Sequence, residues 1–107
     1  MRDEIEFVMI STTVDDANKA REMAELLVRE KLAACVHRMS IKSTYTWKGA
    51  IESADEITLV AKTRASLIEQ VVARIKENHP YELPEIVATP VVHGYRPYLD
   101  WIEKETK

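Results

Sequence analysis

Hydrophobic and polar positions alternate along this chain with a period that keeps changing, and each change marks a new element. Residues 4–11 end in the continuous apolar run Phe7, Val8, Met9 and Ile10, the pattern of a central strand buried on both faces. Thr13, Val14, Asp15 and Asp16 then supply helix-capping side chains. From about residue 16 to 31 the apolar positions Ala20, Met23, Ala24, Leu27 and Val28 recur every three or four residues, which predicts an amphipathic helix. Arg21 with Glu25, and Glu25 with Arg29, are spaced to pair along its polar face.

Across residues 33–63 the period drops to two. Ile41, Tyr45 and Trp47, then Ile57 and Leu59, flank a Lys48-Gly49 turn, so this region reads as one long β-hairpin. A fifteen-residue strand rises about 50 Å at ~3.3 Å per residue, whereas a domain of about 100 residues has a radius of gyration near 13 Å. The hairpin must therefore overhang its own domain, with Tyr45, Trp47 and Ile51 near the tip. Exposed apolar surface on an open strand edge is a liability that association removes, and an obligate homo-oligomer is expected.

Helical spacing returns with Leu67, Ile68, Val71, Val72 and Ile75, preceded by Ser66 and Glu69 in a capping-box pattern and stopped at Asn78, His79 and Pro80. Residues 85–92 read as a short strand, and Pro97, Tyr98, Trp101 and Ile102 as a last helix with proline in its first turn. The order βαββαβ plus a C-terminal helix predicts an α+β fold of ferredoxin-like type, with two helices on one face of a four-stranded antiparallel sheet. No repeat, linker or low-complexity tract divides the chain, so residues 1–107 are expected to form one domain.

Composition narrows the class of partner. Fifteen basic and 18 acidic residues leave a net charge of −3, with neither sign in a block, which argues against nucleic-acid binding and against a polybasic membrane anchor. The longest apolar run is far shorter than the ~20 residues a membrane span needs, and no signal-peptide core follows Met1. The single cysteine, Cys35, suits a reducing compartment, and a cytoplasmic location is expected. Amide side chains are confined to Asn18, Gln70 and Asn78 and glycine to Gly49 and Gly94, a profile that predicts a thermostable protein.

The densest chemistry lies in His79, Pro80, Tyr81, Glu82, Leu83, Pro84, Glu85 and Ile86. Each proline fixes its own φ and pushes the preceding residue toward extended geometry, so the loop is stiff enough to hold side chains in place. His79 is either a metal ligand or a cap on the carbonyls of the helix it ends. Cys35, between Ala34 and Val36, reads first as a small core residue and second as a ligand. Cys35, His37 and Met39 share one strand face and could offer soft donors, although plain alternation produces the same placement. Nothing resembles a P-loop, a GxGxxG turn or a nucleophile elbow, and a non-enzymatic role without an organic cofactor is expected.

Five separated blocks carry a resemblance to the CutA divalent-cation tolerance family: residues 30–36 (Glu-Lys-Leu-Ala-Ala-Cys-Val), residues 45–52 (Tyr-Thr-Trp-Lys-Gly-Ala-Ile-Glu), Lys62 with Thr63, the loop of residues 79–86, and residues 98–102 (Tyr-Leu-Asp-Trp-Ile). The resemblance implies a tight homotrimer that binds Cu²⁺ or another divalent metal. Its metal-ligand pattern, a cysteine ending the first strand and two histidines before the proline, is matched here only in part. His79 stands at the second histidine position, Asn78 takes the first, and no thiol lies near Thr12. His79 and Cys35 are therefore the metal candidates, with Glu82, Glu85 or another subunit completing the shell. The resemblance also brings Trp47, Glu52, Lys62, Tyr81, Glu82 and Glu85 around a cleft between subunits. Such a cleft suits a small anionic or zwitterionic ligand, and a sensor or regulatory trimer follows by fold-level analogy with the trimeric PII signalling proteins.

Overall fold

The computed structural model describes residues 4–107. Eight main-chain segments follow in the order β1 (Phe7–Val14), α1 (Ala17–Arg29), β2 (Cys35–Trp47), β3 (Ala50–Arg64), a 3₁₀ turn (Ala65–Leu67), α2 (Ile68–Asn78), β4 (Ile86–Val91) and α3 (Arg96–Glu105). The strands form one antiparallel sheet in the order β2-β3-β1-β4, so the βαββαβ arrangement with an added C-terminal helix is borne out.

Alternation along the strands decides what each face holds. Val8, Ile10 and Val14 of β1 and Leu59 and Ala61 of β3 point toward α1 and α2, where Ala20, Met23, Leu27, Val71 and Ile75 close the main core. The intervening residues face the other way. Only one corner of that second face is covered, where Phe7 packs against Leu99 and Ile102 of α3. Expected burial of the first strand on both faces thus holds at its ends, whereas Met9 and Ser11 in the middle stay partly open.

The hairpin has the expected shape. Lys48 and Gly49 at its tip have φ of 50° and 84°, and two consecutive positive φ values are the signature of a type I′ turn, whose twist matches that of the flanking strands. β1 pairs with β3 only from Ile57 to Arg64, so the remainder of β3, with the facing part of β2, runs on as a two-stranded ribbon. The molecule measures 43 × 33 × 22 Å with a radius of gyration of 14.6 Å, above the ~13 Å of a compact chain this size. Ile51, 81% exposed, and Tyr45 lie on the ribbon.

Several local expectations are corrected. The first strand runs from Phe7 to Val14 rather than over residues 4–11, because Thr12 and Thr13, β-branched and buried, continue its pairing. Asp16 caps α1 by accepting the Lys19 N–H at 2.9 Å. The pairs Arg21 with Glu25 and Glu25 with Arg29 do not close. On α1 it is Lys19 and Glu22 that approach, at 3.7 Å. Val28 is exposed, since it falls at the rim of the apolar stripe. The Ser66–Glu69 capping box does not form either: residues 65–67 take a 3₁₀ turn, and Leu67, at the N-cap of α2, makes no side-chain capping bond.

The end of α1 is tied to the middle of α2 by side chains. Glu30 accepts two hydrogen bonds from Arg74, at 3.0 and 2.7 Å. Chiefly through that bonding, Arg74 holds the Glu30 carboxyl below the usual carboxylate range. Thr63, fully buried on β3, donates to the Leu32 carbonyl at 2.6 Å and anchors the segment that leads into β2.

Candidate functional site

The proline-bracketed loop begins where α2 ends. Asn78 folds its side-chain amide back onto the Arg74 carbonyl at 2.9 Å and satisfies one of the last helical acceptors. His79 is extended, with φ −89° and ψ 133°, as a residue before proline should be. Its Nε2 lies 2.8 Å from the Thr13 carbonyl oxygen, which can only accept, so Nε2 carries the proton. Its Nδ1 accepts the Tyr81 N–H at 3.1 Å. Both ring nitrogens are therefore engaged, and the ring joins the loop to β1.

Tyr81 makes the second attachment. Its ring meets the His79 ring edge-on at 4.8 Å, and its hydroxyl donates to Glu56 Oε2 at 2.6 Å. Burial, then the hydrogen bond and the negative charge of Glu56, push the Tyr81 phenol well above its ordinary range. Glu56 itself is 7% exposed, which is unusual for a carboxylate without a cationic partner.

Between this loop and the hairpin ribbon, along β2 as far as Trp47, lies a cavity of about 620 Å³. Of the sequence-predicted cleft residues, Trp47, Tyr81, Glu82 and Glu85 line it. Glu52 and Lys62 do not, within one subunit. Glu52 is exposed where it pairs across the hairpin with Tyr45, and Lys62 pairs with Cys35 and Met9 toward the other end of the sheet, its Nζ 5.6 Å from the Tyr98 ring centroid. Glu56, Asp15 and Tyr45 were missed and belong to the wall. Alternation places Glu56 opposite the helix-covered face, where a carboxylate reads as solvated. What buries it is the loop arriving from residues 79–85, and the one sequence signal for that was a tyrosine needing a partner for its hydroxyl.

The metal candidates sit apart. Cys35, half-buried, lies in the row of Lys62 and Met9, while His79 touches β1 at Thr13, four residues or about 13 Å along the strand from Met9. Among the described residues no three His, Cys, Asp or Glu side chains are grouped so as to hold a metal ion. Cys35 and His79 of one subunit therefore do not form a common site.

The sheet, the extended hairpin and the pinned loop define a ferredoxin-like α+β fold with one helix-covered and one largely open face. The family model for the CutA1 divalent ion tolerance protein matches residues 8–105, and the chain belongs to that family. It is 41% identical to the divalent-cation tolerance protein CutA of Thermus thermophilus, over 92% of this chain and 96% of that one. It is 37% identical to the chloroplastic protein CutA of Arabidopsis thaliana over 94% of this chain, but spans just over half the length of that relative and of its rice counterpart. Among solved structures, CutA1 of the psychrotrophic bacterium Shewanella sp. SIB1, described as a stable protein, superposes with a TM-score of 0.93 at 35% identity, covering 97% of this chain and 98% of that chain.

Proposed function

We propose that this chain acts in divalent-cation tolerance as the subunit of a homotrimer, by binding rather than by catalysis, and in the cytoplasm, where Cys35 stays a free thiol. The observation that carries the assembly is the one-sided burial of the sheet. Met39 at 54% exposure and Val87 at 48% stand on the face that helices leave open except at the Phe7 corner, and Ile51, at 81% exposure, stands near the tip of the ribbon. Apolar surface of that extent on a paired, well-formed sheet is characteristic of a protein–protein interface.

Copper or another divalent ion is then held by donors from more than one subunit. Family membership supports the ion; the separation of Cys35 from His79 supports coordination shared between subunits, and His79 would have to release the Tyr81 N–H from its Nδ1 to take part. Cys35, His37 and Met39 alternate on the open face of β2 and are the soft donors that assembly would bring near a neighbour. Calorimetric titration of Cu²⁺ into metal-free protein, with subunit number from light scattering on the same sample, tests this. One ion, or one third of an ion, per subunit supports the reading; weak heats without saturation overturn it.

A second reading is favoured by the cavity itself. Its 620 Å³ lies within the ~300–1,000 Å³ of ordinary small-molecule sites, and its walls come from three parts of the chain held by the His79 and Tyr81 hydrogen bonds. On this reading the trimer is a sensor or regulator that takes a small ligand there.

A further inference from the structure

The charge of the cavity wall is one-sided. Asp15, Glu56, Glu82 and Glu85 contribute carboxylates, and among the described residues no lysine, arginine or histidine lines it. Three aromatic rings, from Tyr45, Trp47 and Tyr81, complete the lining surface. A ring face attracts cations through its quadrupole, and the Lys48 ammonium already lies 5.6 Å from the Trp47 centroid at the hairpin tip.

Glu56 is the decisive group. More than nine-tenths of this residue is buried, it lines the cavity, and no cation lies within ion-pair distance of it among the described residues. Oε2 accepts from the Tyr81 hydroxyl, while Oε1 makes no hydrogen bond among the described residues and is not closed off from solvent. With one neutral donor and one open oxygen, the Glu56 carboxylate can accept a cation that enters the cavity.

The form of that charge follows from geometry. A bound Ca²⁺ or Mg²⁺ needs oxygen ligands converging to about 2.0–2.6 Å, and the wall carboxylates are not grouped in that way. Carboxylates spread around an aromatic chamber suit a ligand whose own charges are spread and joined by methylene groups. The methylenes would lie along the rings and the ammonium groups would reach Glu56 and the rim residues Glu82 and Glu85. We propose that the cavity binds an aliphatic diamine or polyamine, with Glu56 as its principal counter-charge. This rests on the reading of the cavity as a small-ligand site.

The test is calorimetric titration of spermidine into the full chain in its native assembly, with ATP and succinate as anionic probes. Saturable spermidine binding is expected, weakened at least tenfold in Glu56→Gln, whose amide oxygen still accepts the Tyr81 hydroxyl and keeps the loop attached. Glu85→Gln, at the exposed rim, leaves folding untouched and should weaken binding several-fold, so the inference is testable even if the first variant misfolds. Unchanged affinity in both variants overturns it, because attraction would then be to the acidic surface at large. Saturable ATP or succinate binding without spermidine binding overturns the amine and leaves the cavity as a ligand site. If none of the three binds, both readings fall. If spermidine fails to bind and Glu56→Gln lowers the assembled mass, the counter-charge comes from a neighbouring copy, and the inference is overturned.

Discussion

The two faces of the sheet are made by the same strands, yet they do different work. Leu59 and Val60 are neighbours on β3: Leu59 is 1% exposed beneath the helices, while Val60 looks onto the open face beside His37 and Ser11. Under the helices, Ile10, Val71 and Ile75 complete a core that needs nothing outside the chain. On the other side, Met39 and Val87 remain exposed, and the apolar cover supplied by Leu99 and Ile102 of α3 is centred on Phe7. Stability of the chain therefore resides in one face, while the other face and the hairpin ribbon leave apolar side chains open to the association proposed above. A fold can thus be complete as a packing unit while its surface is still unfinished.

The sharpest way to break this comparison is to shorten the two neighbours in turn. Leu59→Ala should lower the stability of the subunit by about 2–5 kcal/mol, the usual cost of emptying a close-packed site, measured by denaturant unfolding. Val60→Ala should lower subunit stability by less than about 1 kcal/mol and act instead on the assembly. Equal losses at both positions would erase the distinction between the faces. Trp47→Ala, on the ribbon, should leave the far-ultraviolet spectrum unchanged and weaken association by about 2 kcal/mol, roughly thirtyfold in dissociation constant, read from mass on dilution.

A smaller effect is expected where the loop meets the sheet. Tyr81→Phe removes the donor to Glu56 and should reduce stability by about 1–2 kcal/mol at neutral pH. In the parent protein a folded-state phenol held above its unfolded value of about 10 contributes stability below that pH, which is lost as pH rises through the folded value. Ultraviolet titration should show one tyrosine ionising later than the others, and a chain in which all tyrosines ionise together would remove the Tyr81–Glu56 bond from the account. The smallest effect belongs to Glu30, on a partly exposed pair. Its folded-state value is depressed by Arg74, so its contribution is present above the unfolded value of about 4.3 and fades as pH falls through the folded one. Glu30→Gln should flatten the acid limb of the stability profile, and an unchanged limb would show the pair to be inert.

Much of the fold was readable because local and long-range signals agreed. The period-two run on either side of Lys48-Gly49 demanded a hairpin, and the tip glycine allowed the positive φ that its turn needs. The stripe from Leu67 to Ile75 and its stop before Pro80 likewise located α2. Where tertiary pairing intervened, reading failed. Nothing local says that Thr12 and Thr13 extend β1, or that residues 65–67 wind into a 3₁₀ turn and displace the capping box. The loop was recognisable as stiff and chemically rich, but its attachments were not, since Thr13 and Glu56 are remote in sequence and meet it only through the β2-β3-β1-β4 order. That same order carries Lys62 away from the cavity and holds Cys35 apart from His79.

Sedimentation equilibrium over subunit concentrations from nanomolar to micromolar tests the division between the two faces most directly. Three times the subunit mass of 12.3 kDa across that range is the predicted result. A folded species of 12.3 kDa that persists at micromolar concentration would contradict it, because the open face and the ribbon would then be stable against water alone.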